Sequence, residues 1–443
     1  MAAWRTLGTV VVLLAGAPIA TAQTYPLSET VKAGDCFRVR LEMDLTGEIK
    51  VSRDGKSASL PLTAKATHEF PERVLVVGDK GLVEKSARVY ETATATITVA
   101  RDTETKSLRK ERRLLVAQRP KDQALTYSPN GPLTRGELEL VGDHFDTLCV
   151  TGLLPGKEVA VGDTWKVNNS AAQALCHFDG LTDQDLTCKL EAVKDKVARV
   201  SVSGPANGIE LGAMVKLKID ATYHFDLEAK RLTWLEWKQT DARDQGPANP
   251  ALTATSTTTL TRKPIERPDA LADMALVSVP PDFKVPETLL VVEYRHPKGK
   301  FELNYARDWQ VVGEPQERLI LRLMERGDFV AQATITPWTP AEKGKHLSAD
   351  EFKAAVTDTP GWEAEKELQA GEVPPAGEGR WIYRVSLLGK MDGMAVLQNF
   401  YLVAGPNGDQ VVVAVTLTPK KAEQLGSRDL SLAGSIELPA EKK

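Results

Sequence analysis

The sequence lacks the motifs that mark several common enzyme classes. It has no nucleophile elbow, no zinc-protease motif, no phosphate-binding loop and no dinucleotide fingerprint, and its six histidines are scattered. Lys and Arg total 56 against 60 Asp and Glu, and this balance does not favour a nucleic-acid partner. We therefore expect a protein that is not an enzyme, needs no cofactor and binds no nucleic acid.

Long apolar runs are also missing after residue 22, so the mature chain has no predicted transmembrane segment. The first 22 residues carry a basic residue, Arg5, a short apolar run over residues 7–19, and the small-x-small sequence Ala20, Thr21, Ala22. That order is typical of a secretory signal peptide, and the run is shorter than the ~20 residues that span a bilayer. We predict cleavage before Gln23 and a secreted or periplasmic protein.

Cysteines are few: four among 443 residues. An even number in an exported protein favours disulfides, although three pairings are open. Cys176 and Cys188 enclose a short loop and form the preferred pair, which leaves Cys36 and Cys149. The alternative is a metal site that includes Cys176, His177 and Cys188, but zinc ligands usually come in pairs two to four residues apart. We expect no metal.

Prolines crowd residues 263–298, where they remove strand donors and stiffen the chain. We predict a linker there, with one short helix over residues 269–276. It separates an N-terminal region, residues 23–262, from a C-terminal domain, residues 299–439. All four cysteines lie in the N-terminal region, which is typical of independent units.

Strict alternation of apolar and polar residues dominates the N-terminal region. Val215, Leu217 and Ile219 alternate with Lys216 and Lys218, a period of two that predicts an antiparallel strand with one wet face. Similar patterns predict further strands over residues 36–45, 73–77, 86–99, 108–117, 189–193, 197–202, 232–238 and 253–261.

Two helices are predicted within this region. The spacing of Thr134 and Glu137 predicts a capping box that begins a helix over residues 135–150. A shorter helix is predicted over residues 171–176. The halves 31–150 and 158–262 share short matches, such as Gly34-Asp35 and Gly162-Asp163, which fit either a duplication or chance.

The N-terminal region resembles secreted bacterial β-rich families of unknown function. The resemblance rests on residues 153–159, which lead into the turn Val161-Gly162-Asp163-Thr164-Trp165, and on Phe225-Asp226 before Leu232. It implies an antiparallel sheet that is concave or barrel-like, and it implies no catalytic residue.

The C-terminal domain shows strand patterns and a helix that begins at a Ser348 and Glu351 capping box, with hairpin turns at Asp392-Gly393 and Asn407-Gly408. It resembles the PsbP-like fold family on residues 301–305 with Asp308-Trp309, on Gly379-Arg380-Trp381, and on residues 429–436. The resemblance implies an antiparallel sheet flanked by helices and a binding, assembly or scaffolding role. The overall class is therefore mainly β / α+β.

Few residues suggest a functional site. Trp234 and Trp237 lie on opposite faces of one predicted strand, so at least one is expected in the core while the other could line a ligand cleft. The group Asp143, His144, Asp146 is interpreted as a solvated helix face. The run from Asp241 through Arg243 to Gly246 is interpreted as a polar loop, since it lacks the ligand spacing of a calcium loop.

These observations predict an exported, non-catalytic binding or assembly module of the cell envelope. Its partner is either an envelope protein or an apolar ligand. One alternative is a carrier that holds a lipid or another apolar ligand in its concave sheet. A second is a hydrolase whose dispersed carboxylates converge only in the folded chain.

Overall fold

A computed structural model of the chain describes residues 23–53, 56–78, 81–120, 124–142, 145–359, 361–374 and 379–439. The predicted signal peptide, Asp143 and His144 lie outside the described residues. Antiparallel strands dominate the described part, with short helices between them, which confirms the mainly β / α+β class. Among the described residues, none of the helices has the length and apolar character needed to cross a bilayer.

The N-terminal region contains two helices, α1 (Arg135–Gly142) and α2 (Asn169–Leu175), and 3-10 turns at Lys110–Arg112 and Thr147–Leu153. Its strands are β1 (Thr24–Pro26), β2 (Cys36–Arg53), β3 (Lys56–Val77), β4 (Val83–Val89), β5 (Thr92–Val99), β6 (Asp102–Ser107), β7 (Leu114–Gln118), β8 (Leu125–Tyr127), β9 (Leu133–Thr134), β10 (Glu158–Ala160), β11 (Thr164–Lys166), β12 (Gly180–Gln184), β13 (Thr187–Lys194), β14 (Val197–Glu210), β15 (Ala213–Asp226), β16 (Arg231–Arg243) and β17 (Ala251–Pro264).

Most of these strands form one sheet of 14 strands. Its order is β11-β13-β14-β15-β16-β17-β2-β3-β4-β7-β8, with β12 beside β14, β5 beside β3, and β6 beside β5. Neighbouring strands are antiparallel throughout, and in the described part of the chain the end strands β11 and β8 do not pair with each other. The sheet therefore stays open.

One face of this sheet carries the N-terminal core. Along β15, Val215, Leu217 and Ile219 are buried while Lys216 and Lys218 are exposed, as the alternation predicts. We call the side that carries Leu217 and Ile219 the inner face. The connecting segment of residues 133–178 covers part of it. Both Tyr223 Oη and Trp165 Nε1 donate to the Leu153 carbonyl, at 3.2 and 2.9 Å.

The predicted helix over residues 135–150 is wrong in its second half. The capping box is present, because Glu137 N donates to Thr134 Oγ1 at 3.2 Å and Thr134 N donates to Glu137 Oε2 at 2.9 Å. The helix nevertheless ends at Gly142, and a separate 3-10 turn begins after Asp146, whose carboxylate accepts from Leu148 N at 2.9 Å. An Asp favours the start of a new turn over the interior of a helix. The shorter helix is confirmed as α2, with Asn168 as its N-cap.

The proline-rich segment packs against the outer side of the sheet near β4 and β7. Leu271, Leu276 and Val279 are buried there in a cluster with Ala87 and Val116. The predicted helix over residues 269–276 is wrong: a 3-10 turn, Asp269–Leu271, begins there and is followed by further turns, and a second 3-10 turn, Glu287–Leu289, lies later in the segment. The segment is thus held by apolar contacts and by hydrogen bonds such as that from Lys85 Nζ to the Pro280 carbonyl, at 2.9 Å.

The C-terminal part has helices α3 (Ala349–Thr357), α4 (Ala422–Leu425) and α5 (Arg428–Gly434), and 3-10 turns at Pro315–Glu317 and Pro419–Lys421. Its strands are β18 (Val292–Arg295), β19 (Glu302–Tyr305), β20 (Trp309–Gly313), β21 (Leu319–Glu325), β22 (Asp328–Pro337), β23 (Glu363–Val373), β24 (Trp381–Met391), β25 (Met394–Ala404), β26 (Gln410–Leu417) and β27 (Ile436–Glu437).

Seven of these strands form an antiparallel sheet in the order β20-β21-β22-β26-β25-β24-β23. One face packs against α5 and against β18, β19 and β27, and the other face packs against α3. The Ser348 and Glu351 capping box of α3 is confirmed, and so is the hairpin at Asp392-Gly393, where both residues have positive φ. Strand β23 was not predicted, because it is a highly charged, exposed edge strand.

The two parts of the chain are joined through a small sheet of order β27-β19-β18-β9. Strand β9 pairs in parallel with β18, so a strand from the predicted linker binds the N-terminal region to the C-terminal part. Arg109 bridges the same boundary, with Glu137 at 2.7 Å and Glu293 at 3.0 Å. Leu138 packs against both cores.

Candidate functional site

A cavity of about 460 Å³ lies on the inner face of the 14-stranded sheet. Strands β14 to β17 form one wall, the chain from α2 to β12 forms another, and Gln310 of β20 contributes from the C-terminal part. We call it the inner-face cavity. It is lined by Arg119, Ala124, Arg135, Gln173, Ala174, Leu175, Cys176, His177, Phe178, Asp179, Glu210, Leu211, Val215, Leu217, Gln239, Asp241, Arg243, Leu252 and Gln310.

A chain of hydrogen bonds runs along β16 into the cavity. Trp237 Nε1 donates to Gln239 Oε1 at 2.9 Å, and Gln239 Nε2 donates to the two Asp241 carboxylate oxygens at 3.0 and 3.2 Å. The residues are two apart along a strand and therefore share a face. An indole N–H can only donate, so it fixes the Gln239 amide with its NH₂ towards Asp241. Asp241 is the last acceptor in this series of hydrogen bonds.

Asp241 has an unusual electrostatic environment. Burial is the main cause that raises its pKa, to about 6, and the nearby Glu210 raises it further. The hydrogen bond from Gln239 and the charge of Arg243 act in the opposite direction. No cation of the described residues forms an ion pair with Asp241, because Arg243 is paired instead with Glu210 at 3.3 Å. The carboxylate is therefore poorly compensated at neutral pH.

The C-terminal part packs against the wall formed by β14 to β17 through close backbone contacts. Gly212, in the turn between β14 and β15, lies against Gly327 in the turn between β21 and β22, and a Cβ at Gly212 would meet the Gly327 carbonyl oxygen at 2.2 Å. Arg322 donates to the Pro247 carbonyl beside them. At the cavity, the buried Gln310 Oε1 has no hydrogen-bond partner among the described residues. The site thus combines groups from both parts of the chain.

The two candidate tryptophans have different surroundings. Trp237 is 1% exposed on the inner face and packs edge-on against Phe145, with ring centroids 5.7 Å apart. Trp234 is half-buried on the opposite face, stacked on His224 at 4.6 Å. Trp237 reaches the inner-face cavity through Gln239, whereas Trp234 does not line it. A ligand-binding role for either residue stays a prediction.

All four cysteines are buried free thiols, and the structure contains no disulfide between them. Burial is the main cause that raises the pKa of Cys149, Cys176 and Cys188 to about 12, and it also raises the pKa of Cys36. The pairing of Cys176 with Cys188, and of Cys36 with Cys149, stays a prediction for the oxidising compartment. Among the residues described, no three His, Cys, Asp or Glu side chains converge as a metal site.

Sequence reasoning missed the central residues of the site. The interpretation of Asp241 and Arg243 as part of a polar loop is wrong, because β16 continues to Arg243 and pairs with β15 and β17 there. The sequence offers little signal here, because Gln239, Asp241 and Arg243 are polar and the hydrophobic alternation of the strand ends at Trp237. Asp146 is a structural residue: it caps the 3-10 turn and forms an ion pair with Arg119.

Comparisons with known proteins give little support for assigning a family or a function. No protein-family model matches the chain, and no curated protein matches it. A solved structure of cyanobacterial PsbP (CyanoP) from Synechocystis sp. PCC 6803 is similar over 36% of this chain and 99% of its own, at 15% identity and a TM-score of 0.27. The Ran-binding protein Mog1p of Saccharomyces cerevisiae is similar over 33% of this chain and 95% of its own, at 12% identity and a TM-score of 0.26.

An immunity protein of a Pseudomonas aeruginosa T6SS, TplEi, is similar over 58% of this chain and 98% of its own, at 9% identity and a TM-score of 0.19. TM-scores this low carry no argument about fold or function. The likeness of the C-terminal part to the PsbP-like family therefore remains a resemblance, and the function must be argued from the site.

Proposed function

We propose that this protein is a non-catalytic binding module whose small ligand occupies the inner-face cavity. The observation that carries the proposal is the cavity itself. A cleft of about 460 Å³ that is open to solvent on one side and lined by both apolar and charged side chains falls within the size range of small-molecule sites. Contributions from both parts of the chain also agree with the preference of such sites for domain boundaries.

The chemistry of the lining favours binding over catalysis. Burial raises the pKa of the Cys176 thiol to about 12, so this cysteine is a poor nucleophile. Asp241 accepts hydrogen bonds from Gln239, and no histidine, cysteine or serine of the described residues bonds to it. A carboxylate held by an amide is suited to accept hydrogen bonds from a ligand.

Export to the periplasm or outside the cell is part of the proposal. It is supported by the signal-peptide pattern around Arg5 and by the small residues before Gln23. N-terminal sequencing of the mature protein from its own cells should begin at Gln23. A mature chain that still begins at Met1 would contradict export by this route.

The binding proposal is tested by filling the cavity. Leu217→Trp projects an indole into the inner-face cavity, and Lys218→Trp places the same side chain on the exposed opposite face as a matched control. Native mass spectrometry of protein purified from its own envelope should show a bound small molecule in the wild type and in Lys218→Trp, and none in Leu217→Trp. A ligand that Leu217→Trp retains, or a wild type that carries none, would contradict the proposal.

A carrier for apolar ligands is the second candidate. The β2–β3 hairpin presents half-buried apolar side chains, including Leu45, Leu60 and Leu62, on the inner-face side. An environment-sensitive apolar dye should then bind saturably and be displaced by lipid. Leu62→Asn should weaken dye binding, while Thr63→Asn on the exposed side should not. Dye binding no stronger than to an unrelated folded protein would count against the carrier.

A further inference from the structure

We infer that the ligand of the inner-face cavity is an organic cation, an amine whose ammonium group pairs with Asp241 and whose apolar body packs on Val215, Leu217 and Leu252. The inference rests on the proposed binding function and adds the chemical class of the ligand.

The hydrogen bonds along β16 all run in one direction, towards Asp241. Because Trp237 can only donate, Gln239 must donate in turn, and Asp241 receives hydrogen bonds without passing one on. An ionised carboxylate has about four acceptor sites, and the single Gln239 amide group occupies only part of this capacity. The ligand atoms that reach Asp241 must therefore be donors.

The charges around the cavity are unevenly paired. Each arginine of the lining already has a carboxylate: Arg243 has Glu210 at 3.3 Å, Arg135 has Glu139 at 2.8 Å, and Arg119 has Asp146. The remaining carboxylate besides Asp241 is the exposed Asp179, which accepts from Leu211 N at 2.7 Å.

Asp241 is therefore the half-buried carboxylate of the lining for which the described residues supply no ion pair. Leaving such a charge unpaired is costly, and a ligand ammonium would offset that cost in a partly desolvated site.

Apolar side chains flank the Asp241 carboxylate on the neighbouring strands. In the strand register, Asp241 lies between Leu217 of β15 and Ala254 of β17, and the next residue on the same face, Arg243, lies between Val215 and Leu252. Val215 and Leu217 are buried and border the cavity. One negative group set in apolar side chains matches a ligand that joins one positive group to an apolar body.

The experiment compares three probes that share a phenol ring and differ in charge. Tyramine is the cation, 4-(2-hydroxyethyl)phenol is neutral, and 4-hydroxyphenylacetate is the anion. Isothermal titration calorimetry with the full-length mature chain at pH 7.5 should give at least 10-fold tighter binding of tyramine than of either analogue. Asp241→Asn should lose at least 10-fold in tyramine affinity, while Asp220→Asn, a matched change on the exposed face of β15, should lose none.

A pH titration of the wild type supplies a test that needs no variant. The titratable and charged groups that line the cavity with Asp241 are Glu210, Arg243, Cys176, His177, Asp179, Arg119 and Arg135. Because the pKa of Asp241 is about 6, lowering the pH from 7.5 to 5 protonates most of this carboxylate and should weaken tyramine binding roughly 10-fold. The binding of 4-(2-hydroxyethyl)phenol should change much less over this range.

Several outcomes would overturn the assignment of an amine. They are equal or tighter binding of either analogue, undiminished tyramine binding by Asp241→Asn, and no binding of any probe. If an analogue binds and Leu217→Trp abolishes that binding, the cavity is a binding site and only the cationic class is wrong. If native mass spectrometry also finds no bound molecule, the binding function itself fails.

Discussion

Strands β15 and β25 show two ways to build a sheet in one chain. In β15, buried and exposed residues alternate from Ala213 onwards, so only one face is covered. In β25, every residue from Val396 to Ala404 is buried, because one face meets the core around α5 and the other meets the core around α3. An alternating sequence indicates one wet face, and a continuous apolar run indicates two covered faces.

The difference explains where a ligand can bind. The central strands β25 and β26 of the seven-stranded sheet are packed on both sides, so most of their apolar side chains are already covered by protein. The 14-stranded sheet relies on two short helices and a 3-10 turn to cover a much longer inner face, and the inner-face cavity remains beside them. The C-terminal part contributes to this site from outside, through Gln310 and the contact between Gly212 and Gly327.

The largest expected effect is the loss of unfolding free energy when buried apolar side chains of β25 and β15 are truncated. Leu397 and Leu402 of β25 face opposite cores, so Leu→Ala at either position should lower the free energy of unfolding by ~2–5 kcal/mol. In β15, Ile219→Ala should cost a similar amount, whereas the neighbouring Lys218→Ala should change stability by no more than about 0.5 kcal/mol. Chemical denaturation followed by circular dichroism measures these differences.

The comparison fails if Leu397→Ala or Leu402→Ala is as mild as Lys218→Ala. That result would mean that one face of β25 is effectively solvated, and that the two sheets do not differ in the number of faces they cover.

Much of this contrast could be predicted from sequence, because it depends on local patterns. Alternation over residues 215–225 predicted β15 to within two residues of its ends, and the Thr134 and Ser348 capping boxes marked the starts of α1 and α3. A period of two and a side chain that caps its own helix are both properties of a few consecutive residues.

The candidate site could not be predicted in the same way. Asp241 and Gln239 are polar residues on the inner face, so a hydrophobic pattern ends before them even though the strand continues. Their setting also depends on Glu210, His177 and Gln310, which are distant in sequence and meet only in the fold. The pairing of β9 with β18 is missed for the same reason, since two-residue pairings carry no periodic signal.

In the less covered 14-stranded sheet, the Asp241 carboxylate should make the stability of the protein depend on pH. The pKa of Asp241 rises from near 3.9 in the unfolded chain to about 6 in the folded protein, so between these pH values the native state holds the extra proton. Stability should therefore fall as the pH rises from 4 to 6 and stay level above. This contribution amounts to about 2–3 kcal/mol and should be absent in Asp241→Asn.

The measurement is denaturation of wild type and Asp241→Asn from pH 4 to 7.5. The difference in unfolding free energy should shift towards the variant as the pH rises, while Asp220→Asn, on the exposed face, should show no such shift. A constant difference between wild type and Asp241→Asn would show that this carboxylate titrates normally.

A smaller loss of stability is expected on removal of the two capping boxes, one at α1 in the N-terminal region and one at α3 in the C-terminal part. Thr134→Ala and Ser348→Ala each remove a side-chain acceptor for a helix N–H and should each cost about 1 kcal/mol. Thr134 also belongs to β9, which pairs with β18, so its backbone contact between the parts should persist. Thermal unfolding of the two variants beside Thr67→Ala, an intermediate-exposure strand position without a cap, measures the difference. Equal stability of all three variants would contradict the caps.

The smallest expected effect on the folded structure comes from cutting the chain between the two regions. In the proline-rich segment Met274 is 84% exposed and Val277 75% exposed, whereas Leu271, Leu276 and Val279 are buried. Limited proteolysis should therefore cut first near Met274 and Val277, because exposed backbone is cleaved most readily.

The pairing of β9 with β18 and the ion pairs of Arg109 cross the boundary without involving those residues. The two fragments should then remain together in size-exclusion chromatography, and the circular dichroism spectrum of the nicked protein should match that of the intact chain. Separation of the fragments at neutral pH and moderate salt would show that the two sheets are independent units. In that case the inner-face cavity would lose Gln310 from its lining.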